Sequence, residues 1–131
     1  MKLFKYEKFL ESIEDIHSIC KKYGIINYTI NEDGSIDVEG NVDLGYKKLT
    51  KLPLKFNNVS GNFYCDINKL TTLEGCPQSV GGNFYCGNNK LETLEGGPQS
   101  VGGDFDCGYN QLTSLEGSPK SVGGGFYCYN N

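Results

Sequence analysis

The sequence predicts a solenoid of stacked coils, with one parallel β-sheet of short strands, extended or 3₁₀-like return segments and an N-terminal cap of a helix and a hairpin. Apolar and polar columns recur every 21 residues, which is typical of coils that stack and share a core. The 18 glycines fall mostly at fixed offsets within the copies, as repeated tight corners require. An apolar stripe at helical spacing precedes the copies, where a terminal cap is expected.

The cap is predicted to span residues 1–35. Its helix presents one apolar face, formed by Phe9, Ile13, Ile16, Cys20 and Tyr23. Gly24 stands where a helix C-cap is expected. The stretches IINYTI and SIDVEG then flank NEDG, which is a turn signal between two short strands.

The coils are predicted to span residues 36–131, about five of them, with the last incomplete. In each copy a stretch such as NFYCGNN alternates apolar and polar residues, which predicts a strand with one buried face. Leu91 and Leu94 follow, but Gly and Pro arrive too soon for a full helix. The Asn column is expected to bond backbone groups inside the corners; its members are Asn68, Asn89, Asn110 and Asn131.

A cysteine column raises the question of metal or disulfide chemistry; it contains Cys65, Cys86, Cys107 and Cys128. Strands about 4.8 Å apart place these residues in a line, whereas a tetrahedral site needs sulfurs about 2.3 Å from one point. We therefore expect no metal. A disulfide between neighbouring coils fits the Cα spacing but not the parallel Cβ directions. Buried free thiols that act as apolar filler are the interpretation we favour.

The stretch FYCGNNKLETL matches the pattern L-x-L-x-x-N-x-L-x-x-L, with Phe84 and Cys86 in the first apolar slots and Asn89, Leu91 and Leu94 in the others. Over residues 36–131 the chain therefore resembles leucine-rich repeat proteins, particularly the short-repeat bacterial type. The stretch LTSLEGSPKSVGG also resembles repeat proteins encoded by tailed bacteriophages. The first resemblance implies recognition on the concave strand face. The second implies a phage-encoded inhibitor of a host defence or regulatory protein.

Composition narrows the function classes. All 12 basic residues are Lys, so the side chain most used for bidentate phosphate and guanine contacts is missing and direct nucleic-acid binding is not expected. The net charge of −4 favours a partner with a basic surface. His17 is the only histidine, and although Asp104 and Asp106 form a carboxylate pair, nothing else supports catalysis; we expect neither an enzyme nor a cofactor. No apolar run reaches the ~20 residues of a membrane span, and the start is too charged for a signal peptide, so we expect a cytoplasmic protein.

The outward face of the strands is the candidate binding surface, because packing does not require the Tyr, Asp and Asn residues that recur there. Tyr offers a large contact area at low entropic cost. We predict that a protein partner contacts Asn62, Tyr64, Asp66, Asn83, Tyr85, Asp104, Asp106, Tyr109, Tyr127 and Tyr129. One alternative is a carbohydrate- or cell-surface-binding protein whose Tyr row stacks on sugar rings. Another is an assembly role, in which the uncapped C-terminal end forms a homodimer through Val122, Phe126 and Cys128.

Overall fold

The computed structural model describes residues 2–131, with side chains described from residue 8 onward. In this range one helix, α1 (Lys2–Lys22), precedes a series of short strands. The strands are β1 (Tyr28–Ile30), β2 (Ile36–Val38), β3 (Val42–Asp43), β4 (Phe56–Val59), β5 (Phe63–Tyr64), β6 (Ser79–Val80), β7 (Phe84–Tyr85), β8 (Ser100–Val101), β9 (Phe105–Asp106), β10 (Ser121–Val122) and β11 (Phe126–Tyr127).

The strands form two sheets, where the sequence predicted one. Sheet 1 has the order β1-β2-β4-β6-β8-β10, and sheet 2 has the order β11-β9-β7-β5-β3. Equivalent residues of successive coils pair in parallel, for example Phe63 with Phe84 in sheet 2 and Val80 with Val101 in sheet 1. The additional sheet, sheet 1, forms because each return segment runs extended at Ser-Val, and stacking on its own copy satisfies its backbone groups. The predicted solenoid with a helical cap is confirmed, the single sheet is corrected to two, and no 3₁₀ helix occurs within residues 2–131.

The cap joins the coils through a shared strand. Helix α1 ends in a Schellman motif, in which Gly24 has a φ of 67° and the N–H of Ile25 donates to the carbonyl of Cys20 at 2.8 Å. Strand β1 pairs antiparallel with β2, and β2 pairs on its other side with β4, so the hairpin continues into sheet 1. Cys20 is buried as predicted, but Phe9 is 50% exposed, because it lies about 16 Å along the helix from Cys20.

The core lies between the two sheets and consists of ladders of identical residues. The rings of Phe63, Phe84 and Phe105 are fully buried and nearly parallel, with centroids 5.4 and 5.5 Å apart. Val80 faces them from sheet 1. All six cysteines are free in the structure, and burial raises the pKa of Cys86 well above its ordinary value. The cysteine column therefore fills the core between the sheets, apart from Cys128, which is exposed.

The Asn column ties each coil to the one before it. Asn89 is 8% exposed, and its Oδ1 accepts the N–H of Leu70 at 2.9 Å. Its Nδ2 donates to the carbonyls of Cys65 and Cys86, each at 3.0 Å. Asn68 and Asn110 repeat this pattern one coil away in each direction. The predicted inward role of these carboxamides is confirmed.

Candidate functional site

The predicted partner-binding residues lie along the outward side of sheet 2, which we call the Tyr/Asp face. Strands β5, β7 and β9 bury their first residue and direct their second residue outward. The parallel register aligns these second residues in one row: Asp43, Tyr64, Tyr85, Asp106 and Tyr127. Asp43, 21 residues before Tyr64, is expected from the repeat on the same outward face and pairs in register with Tyr64.

Asn62, Asn83 and Asp104 stand one residue before each strand and bind the next coil. The Oδ1 of Asn62 accepts the N–H of Asn83 at 2.8 Å, and the Oδ1 of Asn83 accepts the N–H of Asp104 at 2.8 Å. A Cβ at Gly82 or Gly103 would overlap the carboxamide oxygen beside it, which explains the second glycine of each doublet. These three side chains therefore have a structural role, and only their remaining atoms are left for a partner.

The tyrosines provide the largest contact surface of the face. The ring centroids of Tyr64 and Tyr85 are 5.2 Å apart, and their planes are inclined by 48°. Both residues are half-buried, whereas Tyr127 is 45% exposed. Burial, followed by the nearby Asp104 carboxylate, raises the pKa of Tyr85. The phenol of Tyr85 therefore remains protonated at neutral pH and can donate a hydrogen bond.

Asp66 is the most unfavourably placed charge on the Tyr/Asp face. It occupies the slot two residues after the Tyr row, where the other copies have Gly45, Gly87, Gly108 and Tyr129. Burial raises the pKa of Asp66, and the carboxylates of Asp43 and Asp106 raise it further. No lysine in the described part of the chain forms an ion pair with any of these three carboxylates. The face therefore concentrates negative charge without a counter-charge of its own.

In the two coils that follow Asp66, glycines occupy its slot on the Tyr/Asp face. Gly87 and Gly108 are buried, and their neighbour Asp106 is turned over them, because its Oδ1 accepts the N–H of Gly108 at 2.9 Å. Tyr129 lies at the far side, and the Asp106 carboxylate is the largest cause of its raised pKa. Carboxylates and a phenol therefore lie close together on this part of the face.

Exposed aromatic residues project from the corners that follow β3 and β9. Tyr46 and Tyr109 occupy equivalent corner positions in the left-handed region, with φ of 58° and 55°. Tyr109 is 50% exposed and packs edge-on against Tyr129, with ring centroids 5.4 Å apart. Tyr46 is 77% exposed and extends the same row at the other end. The corner geometry therefore places Tyr46 and Tyr109 beside the Tyr/Asp face.

The residues predicted for self-association lie at the C-terminal end of the stack. Phe126 is 37% exposed, although its equivalent Phe105 is fully buried, and Cys128 is exposed as well. The N–H groups of Phe105 and Cys107 donate to the carbonyls of Gly125 and Tyr127 at 2.9 and 2.8 Å. The equivalent groups of Phe126 and Cys128 have no further coil to pair with among the described residues. Val122 is half-buried at the edge of sheet 1.

Other chemistry-bearing groups lie away from this face. His17 is on the cap helix, with its Nδ1 2.5 Å from the hydroxyl of Tyr28. Among the side chains that the structure describes, from residue 8 onward, no three His, Cys, Asp or Glu residues converge on a position that could hold a metal ion. In the same range no helix combines the length and apolar character needed to cross a bilayer.

Comparison of the chain with protein-family models, with curated proteins and with solved structures finds no match.

Proposed function

We propose that this protein is a non-enzymatic binding module whose Tyr/Asp face receives a basic segment of a partner protein. The observation that carries the proposal is the environment of Asp66, a half-buried carboxylate with two further carboxylates nearby and no lysine paired to it. Like charges held close together destabilise the free protein. A lysine or arginine of a partner would relieve that repulsion. The free energy that the repulsion costs the free protein would then favour formation of the complex.

The tyrosines support the same proposal. Tyr64, Tyr85, Tyr127 and Tyr129 surround the carboxylates with rings that can pack on the alkyl part of a basic side chain or on its cationic group. The five strands of sheet 2 span about 19 Å at ~4.8 Å per step. A face of that length fits an interface at or below the standard ~800 Å² per partner.

The finer form of the proposal concerns the biological setting. We propose a phage-encoded inhibitor that acts in the host cytoplasm and covers a basic surface of a host defence or regulatory protein. The resemblance of LTSLEGSPKSVGG to phage repeat proteins is its support.

The test compares three baits in affinity capture: the wild-type chain, a Tyr64→Ala/Tyr85→Ala/Tyr127→Ala variant, and a control altered on the outward side of sheet 1. The control carries Ser79→Ala, Ser100→Ala and Ser121→Ala, which lie in register on that other sheet. We expect a captured partner to be lost only from the Tyr variant, and its binding to weaken as salt rises. Equal capture by the wild type and the Tyr variant would refute this face as the binding surface.

The carboxylates are tested separately with a defined probe. A fluorescein-labelled decapeptide of alternating lysine and leucine should bind the wild type more tightly than Asp66→Asn/Asp106→Asn in an anisotropy titration. Glu92→Gln/Glu95→Gln, on the exposed return side, removes the same charge and should leave binding unchanged. Equal weakening by both pairs would mean that net charge, rather than the face, determines binding.

Self-association through the open end is the second candidate, favoured by the exposure of Phe126 where its equivalents are buried. We propose that two copies pair there, through Val122, Phe126 and Cys128, because β10 and β11 are edge strands of the two sheets among the described residues. Light scattering should give the dimer mass for the wild type and for Tyr46→Ser, and the monomer mass for Phe126→Glu. A monomer at high concentration in the wild type would exclude this pairing.

A further inference from the structure

A groove on the return side of the first coil is the second surface that stands out in this molecule. Its volume is about 970 Å³, and it lies between the return segments of the first two coils. Lys48, Lys51 and Lys55 line it, and the buried side chains of Leu52 and Cys76 lie beneath them. We call it the lysine groove. No residue of the Tyr/Asp face contributes to it.

The other coils show that stacking does not require these lysines. Lys51 occupies the slot held in later coils by Thr72, Thr93 and Ser114. In those coils the hydroxyl accepts the N–H of the residue two positions later, as Thr72 does from Glu74 at 3.0 Å. In the first coil the donor of this bond is missing, because Pro53, two positions after Lys51, has no N–H. No local hydrogen bond therefore requires a hydroxyl at position 51, and the lysine there adds a positive charge.

The same comparison shows a reversal of charge. Pro53 occupies the slot of Glu74, Glu95 and Glu116, and Lys55 that of Cys76, Gly97 and Ser118. The first coil has thus lost the acid of the later coils and acquired cations around it. In a chain with a net charge of −4, three of the 12 lysines lie along this one groove.

Two acidic residues lie at the lysine groove: Glu74 lines it but forms no ion pair with the described residues, and Asp33 pairs with Lys55. Lys55 bonds Asp33 of the hairpin turn, with Nζ and Oδ2 3.1 Å apart, and both side chains are largely exposed. Lys48 and Lys51 form no ion pair with the described residues. Lys69 and Lys90 follow Lys48 along the coils, in line because their N–H groups donate to the carbonyls of Leu49 and Leu70 at 2.8 Å. Like charges in register repel one another unless a bound anion lies between them.

We propose that the lysine groove binds an acidic, extended segment of a protein partner. Lysines act as separate point charges, which suits carboxylates spaced along a peptide, whereas phosphate recognition favours the bidentate arginine that this chain lacks. The aliphatic floor and the lysine stems can accept the apolar side chains that alternate with the carboxylates of an extended peptide. This site is independent of the Tyr/Asp face and of its proposed function.

The probe is a fluorescein-labelled decapeptide of alternating glutamate and leucine, titrated with the full chain at low salt. We expect Lys48→Gln/Lys51→Gln to bind it about three- to tenfold more weakly, as two exposed charge pairs would. Lys21→Gln/Lys120→Gln removes the same charge elsewhere and should bind like the wild type. The Tyr64→Ala/Tyr85→Ala/Tyr127→Ala variant should bind this probe normally, which separates the two surfaces.

Lys51→Thr distinguishes binding from stability. It restores the residue type of the later coils, but Pro53 offers no N–H to the new hydroxyl, so it should leave the urea midpoint of unfolding unchanged while it weakens binding of the peptide. A lower midpoint would show that Lys51 stabilises the fold and would overturn the argument from the repeat. Equal affinity of Lys48→Gln/Lys51→Gln and the control pair, or tighter binding of a ten-residue oligothymidylate than of the peptide, would overturn the proposed ligand.

Discussion

Replacement of Asn89 by alanine is predicted to lower the free energy of unfolding substantially. The Asn89 carboxamide bonds backbone groups of the preceding coil inside the core. The Oδ1 is the acceptor for the N–H of Leu70 at 2.9 Å, inside a buried corner. In Asn89→Ala that N–H would have no partner. The carbonyls that Nδ2 contacts are less affected: Cys65 also accepts from Asn68, and Cys86 also accepts from Asn110.

The expected loss of unfolding free energy follows from the number of buried groups that the substitution leaves without a hydrogen-bond partner. One orphaned buried donor costs about 1–3 kcal/mol, and loss of the packed side chain adds to it, so we expect a total of about 2–4 kcal/mol. Urea unfolding followed by circular dichroism measures the change through the midpoint and slope.

Asn131→Ala is the matched control, since Asn131 makes the same kinds of hydrogen bond at the exposed end of the stack. Water can replace those bonds there, so its cost should stay below about 1 kcal/mol. Equal destabilisation by Asn89→Ala and Asn131→Ala would show that burial does not make the hydrogen bonds of the Asn column stabilising. A neutral Asn89→Ala would refute the expected cost of the orphaned N–H.

Three further predictions follow from the same geometry. Gly103→Ala should destabilise the fold by about 2 kcal/mol or more, because its Cβ would overlap the Oδ1 of Asn83, and a neutral result in urea unfolding would contradict that contact. Cys128 should react with a thiol reagent much faster than the buried Cys86, whose pKa is raised, and the difference should vanish in guanidinium; equal native rates would contradict the buried column. Burial and two carboxylates raise the pKa of Asp66 above the ~3.9 of an unfolded chain, so its ionised form lowers stability as pH rises through the folded pKa. Asp66→Asn should therefore raise the urea midpoint at pH 7 and change it little at pH 3, and the opposite pH dependence would refute this.

Much of the candidate site could be predicted from the sequence, because each copy of the repeat can be compared with the other copies. Tyr64 and Tyr85 face outward and Phe63 and Phe84 inward, as alternation along a strand requires. The roles of Asn62, Asn83 and Asp104 could not be predicted in the same way. Whether such a side chain faces a partner or bonds the next coil depends on the path of the backbone at the corner, which the glycine doublet determines.

The lysine groove was missed for a related reason. The departures at Lys51, Pro53 and Lys55 are visible in the sequence, but a first coil is expected to be atypical where it meets a cap. Only the structure places these lysines around one groove with Lys48.

The sequence by itself determined the coil, the cap and the direction of the core side chains in the coils. The 21-residue period and the alternation along each strand are visible in the sequence of each copy, and every stacked coil keeps them. The tertiary structure decided that the return segments also pair, giving two sheets, because pairing depends on the distance between segments a full coil apart. It also decided that Asp66 lies close to Asp43 and Asp106, because electrostatic coupling depends on separation in space, which no single copy of the repeat specifies.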